Sequence, residues 1–261
     1  MSVPLDETYR YGLMTRLPTA QTTRAITELL DELEFDSIWV GDSLMAKPRP
    51  EALTLLGALV GVTDRVTLGV GCMASFPVRD PFVFAYQWAN LDFLSQGRML
   101  LAACTGIVQG GASAAEGANW GVLDKERAAR LEENIDIVRR LWSEDRVSVE
   151  GKWHSYEDAF IEPKPVQDPC PIWIASNPSP AADREHVWER ALHRVARMAD
   201  GWMTVQMFPE MFKTNWTKIQ AFLAEEGRDL RGLDGGDGLD GGEARVLGER
   251  AGVGVGVGVG V

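Results

Sequence analysis

Short apolar runs alternate with amphipathic helices along most of the chain. The runs fall at 11–17, 37–41, 66–72, 98–104, 159–162, 172–175 and 201–206. Most are apolar on both faces, the pattern of parallel strands covered by helices. After the first run, Ala25, Ile26, Leu29, Leu30 and Leu33 recur at helical spacing. So do Leu131, Ile135, Val138 and Leu141, and then Val187, Trp188, Ala191, Leu192 and Val195. A last helix carries Phe212, Trp216, Ile219 and Leu223, with Gly227 as its stop. Between the fourth helix and the fifth run, RVSVEGKWHSY alternates around Glu150 and Gly151 and predicts a small hairpin. The count is seven βα-type units, which means an α/β protein with a parallel sheet. Seven strands suit a doubly wound sheet or an eight-stranded barrel missing its last unit. In both, ligands sit at the C-terminal ends of the strands.

The pattern stops near residue 230. From Gly232 onward come 12 of the chain's 27 glycines, and the end is five consecutive Gly-Val pairs. No periodic apolar face exists there to offset chain entropy. The expected organisation is therefore one domain over 1–230 and a Gly-rich disordered tail over 231–261.

Composition changes this picture mainly by exclusion. The chain has 261 residues, 45% hydrophobic and 25% charged, with a formal net charge of −12. That acidic balance excludes a nucleic-acid partner and a polybasic membrane surface. The longest apolar run, 53–62, is too short to span a bilayer, and the first residues lack a signal-peptide pattern. Cys72, Cys104 and Cys170 are odd in number and far apart, so no disulfide framework is expected and the cytoplasm is the simplest compartment. Three scattered histidines give no metal-site spacing.

The residues just after each strand are the candidates for chemistry. They are Thr15 and Arg16; Asp42 and Ser43; Cys72, Met73, Ala74 and Ser75; Cys104, Thr105 and Gly106 followed by VQGGASAAEG; Ser176, Asn177 and Ser179; and Gln206 and Met207. YGLMTRL holds no His-x-His pair for a metal-dependent hydrolase. Lys164 sits in EPKP, where a surface turn is favoured over a Schiff-base lysine. Neither a G-x-S-x-G elbow nor a phosphate-binding G-x-x-x-x-G-K-[ST] loop occurs. The string 69–74 matches G-x-G-x-x-A, but Ser75-Phe76-Pro77 follows where a helix should open, so small residues in a tightly packed strand are expected. Cys104 reads first as a small buried hydrophobe. Ser176 and Ser179 read as a helix N-cap or an anion-binding corner. His186 and His193 read as a solvated face. Trp39, Trp173 and Trp202 lie inside strands, as core or facing a ligand.

Four stretches carry a family resemblance. DSIWVGD, VTLGVGCMASFPVRDPFVFAYQWANLDFLSQGRMLLAACTG, EPKPVQDPCPIWIASN and ARMADGWMTV, in this order, resemble the luciferase-like monooxygenases from about residue 11 to 226. LDFLSQGRMLLA and EPKPVQDPCPIWIA are the most diagnostic. The resemblance implies a TIM (β/α)8 barrel, truncated here after the seventh βα unit. It implies a reduced flavin cofactor, FMN or the deazaflavin coenzyme F420. FMN with O2 and a small organic substrate, a monooxygenase reading, is preferred slightly. The alternatives are F420-dependent hydride transfer, or an inactive truncated barrel. Cys104 matches a position under the flavin ring, with Thr105 after it. Cys72 and Met73 match the end of the third strand, where members carry a non-prolyl cis peptide. Ser176, Asn177 and Ser179 match the turn that holds the flavin phosphate. Asp42 and Ser43 match the place where many members keep a proton-transfer histidine. No histidine stands at either position, and Asp42, Ser43 and Cys104 are the catalytic candidates, with Asp42 as a base if burial raises its pKa. A small-molecule substrate, a separate flavin reductase and self-association complete the expectation.

Overall fold

The computed structural model describes residues 12–15, 25, 35–106, 111–180, 184–205, 207–228 and 256–260. It divides into two compact units, 1–100 with 105–170, and 101–104 with 171–261.

In the first unit, strands β1 (Gly12–Thr15), β2 (Ser37–Val40) and β3 (Thr67–Met73) pair in parallel with β2 in the middle. Ile38 and Val40 on β2, and Leu68 and Val70 on β3, are fully buried. The half-buried Trp39 stands in register with Gly69, and its ring lies where a side chain on Gly69 would be. A Cβ there would come within 2.3 Å of the ring. This explains Gly69 of the 69–74 string: it serves close packing. Gly69→Ala is expected to lower stability by about 1–3 kcal/mol, because a strand-borne ring has nowhere to retreat. The midpoint of urea unfolding checks this.

Helices with described ranges in this unit are α1 (Ala52–Val60), α2 (Pro81–Ser95), α3 (Gly111–Asn119) and α4 (Arg127–Ser143). Helix α2 starts where its sequence dictates. Pro81 takes the first turn, where no N–H is needed, and the Asp80 carboxylate accepts the Val83 N–H at 2.9 Å. It stops at Gln96 and Gly97, both left-handed (φ 60° and 79°). Helix α4 buries Leu131, Ile135, Val138 and Leu141, as their spacing predicts. The hairpin predicted around Glu150 forms from β5 (Val147–Glu150) and β6 (Ser155–Ala159).

Two expectations are corrected here. No strand occupies 159–162 as predicted; Ala159 ends β6, which pairs antiparallel with β5. The adjacent Phe160 and Ile161 look strand-like in sequence, but Pro163 has no N–H to offer a ladder. The small-residue stretch after β4, read as a glycine-rich loop, is helix α3 from Gly111 onward. Its alanines favour helix, and Gly117 allows close approach, since a Cβ there would meet the Val122 carbonyl at 2.8 Å.

The two most diagnostic motifs touch each other. Asp92, in LDFLSQGR and fully buried, accepts the Val166 N–H at 2.7 Å, the Gln167 N–H at 3.0 Å and the Gln167 side-chain amide at 2.6 Å. Arg98 donates to the Thr63 and Val66 carbonyls at 2.7 and 2.9 Å. Lys164, in EPKP, donates to the Leu141 carbonyl at 2.8 Å and to that of Glu144, closing the end of α4. The surface turn expected at Lys164 is thus a part-buried helix clamp.

Strand β4 (Met99–Ala103) begins in the first unit, and its remainder counts with the second. There it pairs in parallel with β7 (Ile172–Ala175), which pairs in parallel with β8 (Gly201–Val205). Trp173 faces Gly201 in register, and a Cβ on Gly201 would come within 2.4 Å of its ring, the same device as in the first unit. Helices α5 (Glu185–Met198) and α6 (Pro209–Glu225) pack together. Trp188, Leu192, Val195, Phe212, Trp216, Ile219 and Leu223 are buried, whereas Val187, read as part of the apolar face, is exposed. Gly227 ends α6 in the left-handed region (φ 65°). Of the segment read as a disordered tail, Gly256–Gly260 is described: it forms β9, antiparallel to β8. The Gly-Val alternation has the period of two that a strand requires. The first predicted helix, apart from Ala25, lies outside the described residues, as does most of 231–261.

Candidate functional site

In the first unit the ends of β2 and β3 are fastened by charged side chains. Asp42 is buried (7% exposed). Its Oδ2 accepts the Ser75 N–H at 2.7 Å and its Oδ1 lies 3.4 Å from the Arg79 guanidinium. Arg79 also donates to the Ser75 hydroxyl and to Glu51, each at 2.7 Å. Burial pushes the Glu51 carboxyl up, but the Thr54 N–H and Arg79 outweigh it and the net direction is downward. Both Asp42 oxygens are therefore engaged in tying two strand ends together. The Ser43 hydroxyl donates to the Lys47 carbonyl at 3.2 Å and shapes the loop after β2. Glu116 of α3, 3% exposed, gathers the N–H groups of Leu44, Met45 and Ala46 onto one oxygen at 2.9, 3.0 and 3.4 Å.

The end of β3 carries the other predicted residues of this unit. Met73 is fully buried and Cys72 is half-buried. The peptide between Gly71 and Cys72 is cis, one bond before the predicted Cys72–Met73 position. Thr105 is half-buried. Arg127, at the start of α4 and only 4% exposed, donates to the Thr105 carbonyl through Nε and to the Ala74 carbonyl through Nη2 at 2.8 Å. Gly106 (φ 74°) makes room: a Cβ there would lie 2.6 Å from Nη2.

In the second unit, Cys104 is buried at 6% exposure, and none of the three cysteines is disulfide-bonded. Ser176, Asn177 and Ser179 follow β7; Ser176 is half-buried and the other two are exposed. The Trp202 indole donates to the Ser176 carbonyl and hydroxyl at 3.1 and 3.3 Å. Thr204 donates to the Asn177 side-chain oxygen at 2.6 Å. Asn215 of α6, fully buried, donates to the Pro178 carbonyl at 2.9 Å and accepts from Trp188 at 2.7 Å. The N-cap reading of the serines is corrected: α5 starts at Glu185, with Arg184 as its cap residue.

The strand tryptophans are also placed. Trp39 and Trp173 cover glycines, and Trp202 is fully buried. His193 pairs with Glu226 at 2.8 Å and packs edge-on against Phe222, while His186 is exposed. A cleft of about 600 Å³ lies between the start of α2 and β6, lined by Asp80, Phe82, Val83 and the segment from Ser155 to Phe160. It contains none of the predicted site residues. There the Tyr156 hydroxyl, raised by burial and by Asp80, donates to Asp80 at 3.0 Å. Among the described residues no cluster of His, Cys, Asp and Glu could hold a metal ion. No described helix is long and apolar enough to cross a membrane. Sequence reasoning missed Arg79, Glu116, Arg127 and Asn215. Each looks like an ordinary surface residue in sequence, and only Glu116, the lone carboxylate in a run of small residues, offered a signal.

The model of the luciferase-like monooxygenases matches residues 5–235. The chain belongs to this family. An F420-dependent glucose-6-phosphate dehydrogenase of Intrasporangium calvum is 36% identical over 152 residues, covering 56% of this chain and 45% of that protein. An enzyme of the same name from Nakamurella multipartita is 32% identical over 211 residues, covering 78% and 58%. The chain thus spans about half the length of the curated relatives it matches. Among solved structures, the monooxygenase RslO1 of Streptomyces bottropensis superimposes with a TM-score of 0.70 at 24% identity, over 85% of this chain and 68% of that one. At that identity the likeness shows the fold alone. The family and an oxidoreductase kinship are therefore plain, as the sequence motifs implied.

Proposed function

We propose that this family member is an F420-dependent oxidoreductase that oxidises a small alcohol or sugar to the carbonyl, the hydride of the hydroxyl-bearing carbon going to the coenzyme and the hydroxyl proton to solvent, with sugar phosphates the first class to test. The observation that carries this reading is the F420-dependent name shared by the curated relatives at 32–36% identity. It displaces the slight preference for FMN and O2, which has support only from likeness of fold. Bound F420 would supply a ring that accepts hydride, so neither O2 nor a separate flavin reductase is called for.

The residues present fit such a group chemically. The hydroxyl and amide set of Ser176, Asn177 and Ser179, held by Trp202, Thr204 and Asn215, is assigned to its phosphate. Cys72, Met73, Cys104 and Thr105 are assigned to contact with its ring. Asp42 and Arg127 hold strand ends. The test is anaerobic incubation of the chain with oxidised F420 and glucose 6-phosphate. The expected result is loss of the visible absorbance of the oxidised coenzyme. No reduction with any of a panel of sugar phosphates and secondary alcohols, alongside oxygenation with reduced FMN and O2, would overturn it.

A further inference from the structure

Arg49 lies in the loop after β2, and its guanidinium rests on the backbone of Gly41, the first residue beyond that strand. The fit depends on the missing side chain, because a Cβ on Gly41 would stand 1.8 Å from Arg49 Nη1. Arg49 is half-buried, and its Nε is buried without a hydrogen-bond partner. No carboxylate pairs with it among the described residues. That is unexpected in a chain with 38 acidic and 26 basic side chains. The nearby acids are already committed: Asp42 and Glu51 to Arg79, and Glu116 to the N–H groups at 44–46. Glu116 also fixes the loop that leads to Arg49. A desolvated donor on a cation, held at the C-terminal end of a parallel strand with no carboxylate partner among the described residues, is the arrangement that recognises an anion.

We propose that Arg49 is a specificity residue that binds the anionic group, a phosphate or carboxylate, of the substrate. Arginine suits the task because its planar fork meets such groups with two parallel hydrogen bonds. The proposal rests on the F420-dependent reading for the word substrate, but not for the anion site itself. An anionic tail on the cofactor has the same chemistry and is the competing source.

The probe is inorganic phosphate, titrated into the full chain at constant ionic strength against chloride, with the thermal midpoint as readout. Phosphate should raise the midpoint of the wild-type chain. In Arg49→Gln its apparent dissociation constant should rise about tenfold or more, the worth of a lost charge-assisted contact. Gly41→Ala should do the same with the arginine still present, because the new Cβ displaces a flexible side-chain end. Arg49→Lys should recover part of the effect. The titration is then repeated with F420 bound. Phosphate binding that survives supports the substrate assignment, and phosphate binding that F420 abolishes overturns it in favour of the cofactor. Equal phosphate binding by wild type and both variants overturns the anion site altogether. If F420 does not bind at all, the F420 reading fails, while the phosphate comparison on the free chain still decides the role of Arg49.

Discussion

Asp92→Ala should lower the stability of the chain by about 3–5 kcal/mol, measured by urea unfolding. Asp92 is fully buried on α2, and three N–H groups of Val166 and Gln167 converge on it. Removing the carboxylate takes the acceptor from the Val166 and Gln167 N–H groups at a part-buried contact, while the Gln167 side-chain amide keeps the Met99 carbonyl at 2.8 Å, and each such loss costs about 1–3 kcal/mol. Against a typical total stability of about 5–15 kcal/mol, that is a large share. Asp92→Asn should fall between the two, since its single side-chain oxygen cannot serve every donor and its amide adds one of its own. The loss should appear as stability rather than chemistry, because Asp92 joins two family motifs at a packing contact. A variant as stable as wild type would show that the Asp92 contacts are replaceable.

The second large effect is expected at Arg127. Two terms oppose each other in Arg127→Met. Deleting a buried cation removes its desolvation cost, while the Ala74 and Thr105 carbonyls lose their donors. Nη1 is buried without a hydrogen-bond partner, so the cation itself is not fully satisfied. Two orphaned acceptors at about 1–3 kcal/mol each outweigh the relief, and the net cost should be about 2–3 kcal/mol. The functional consequence should exceed the structural one. The freed carbonyls follow β3 and β4, next to Met73 and Cys104, so cofactor affinity should fall even at temperatures where the variant is folded. Fluorescence titration with F420 together with thermal unfolding separates the two effects. Unchanged affinity in a folded variant would remove Arg127 from the positioning role.

The sequence was most legible where burial is periodic. The residues of α4 and α6 read as core are core, and β7 spans Ile172–Ala175 as its apolar run does. The hairpin around Glu150 was readable because alternation and turn residues coincide. The run at 159–162 misled because three apolar residues and a glutamate carry no information about pairing partners. Helix α3 hid behind glycines, of which Gly117 serves close approach.

The site was legible in its strand-end positions and not in its charges. Asp42 was singled out for proton transfer by its place after β2, yet its hydrogen bonds come from Ser75 and Arg79, which are 33 and 37 positions away. Partners at that separation leave no trace in local pattern. The same holds for Glu116, which reaches back across 70 to 72 positions, and for Arg127, which reaches Ala74 across 53. The motifs that identify the family proved to be largely scaffolding: Asp92, Arg98 and Lys164 bind backbone or each other's motif.

The central claim is the identity of the cofactor, and a paired titration tests it most directly. The purified chain is titrated with oxidised F420 and, separately, with FMN, following fluorescence and the thermal midpoint. The account predicts saturable F420 binding with stabilisation of about 2.7 kcal/mol at one hundred times its dissociation constant. It predicts no comparable effect of FMN. Tight FMN binding with no response to F420 would contradict it and return the monooxygenase reading to first place.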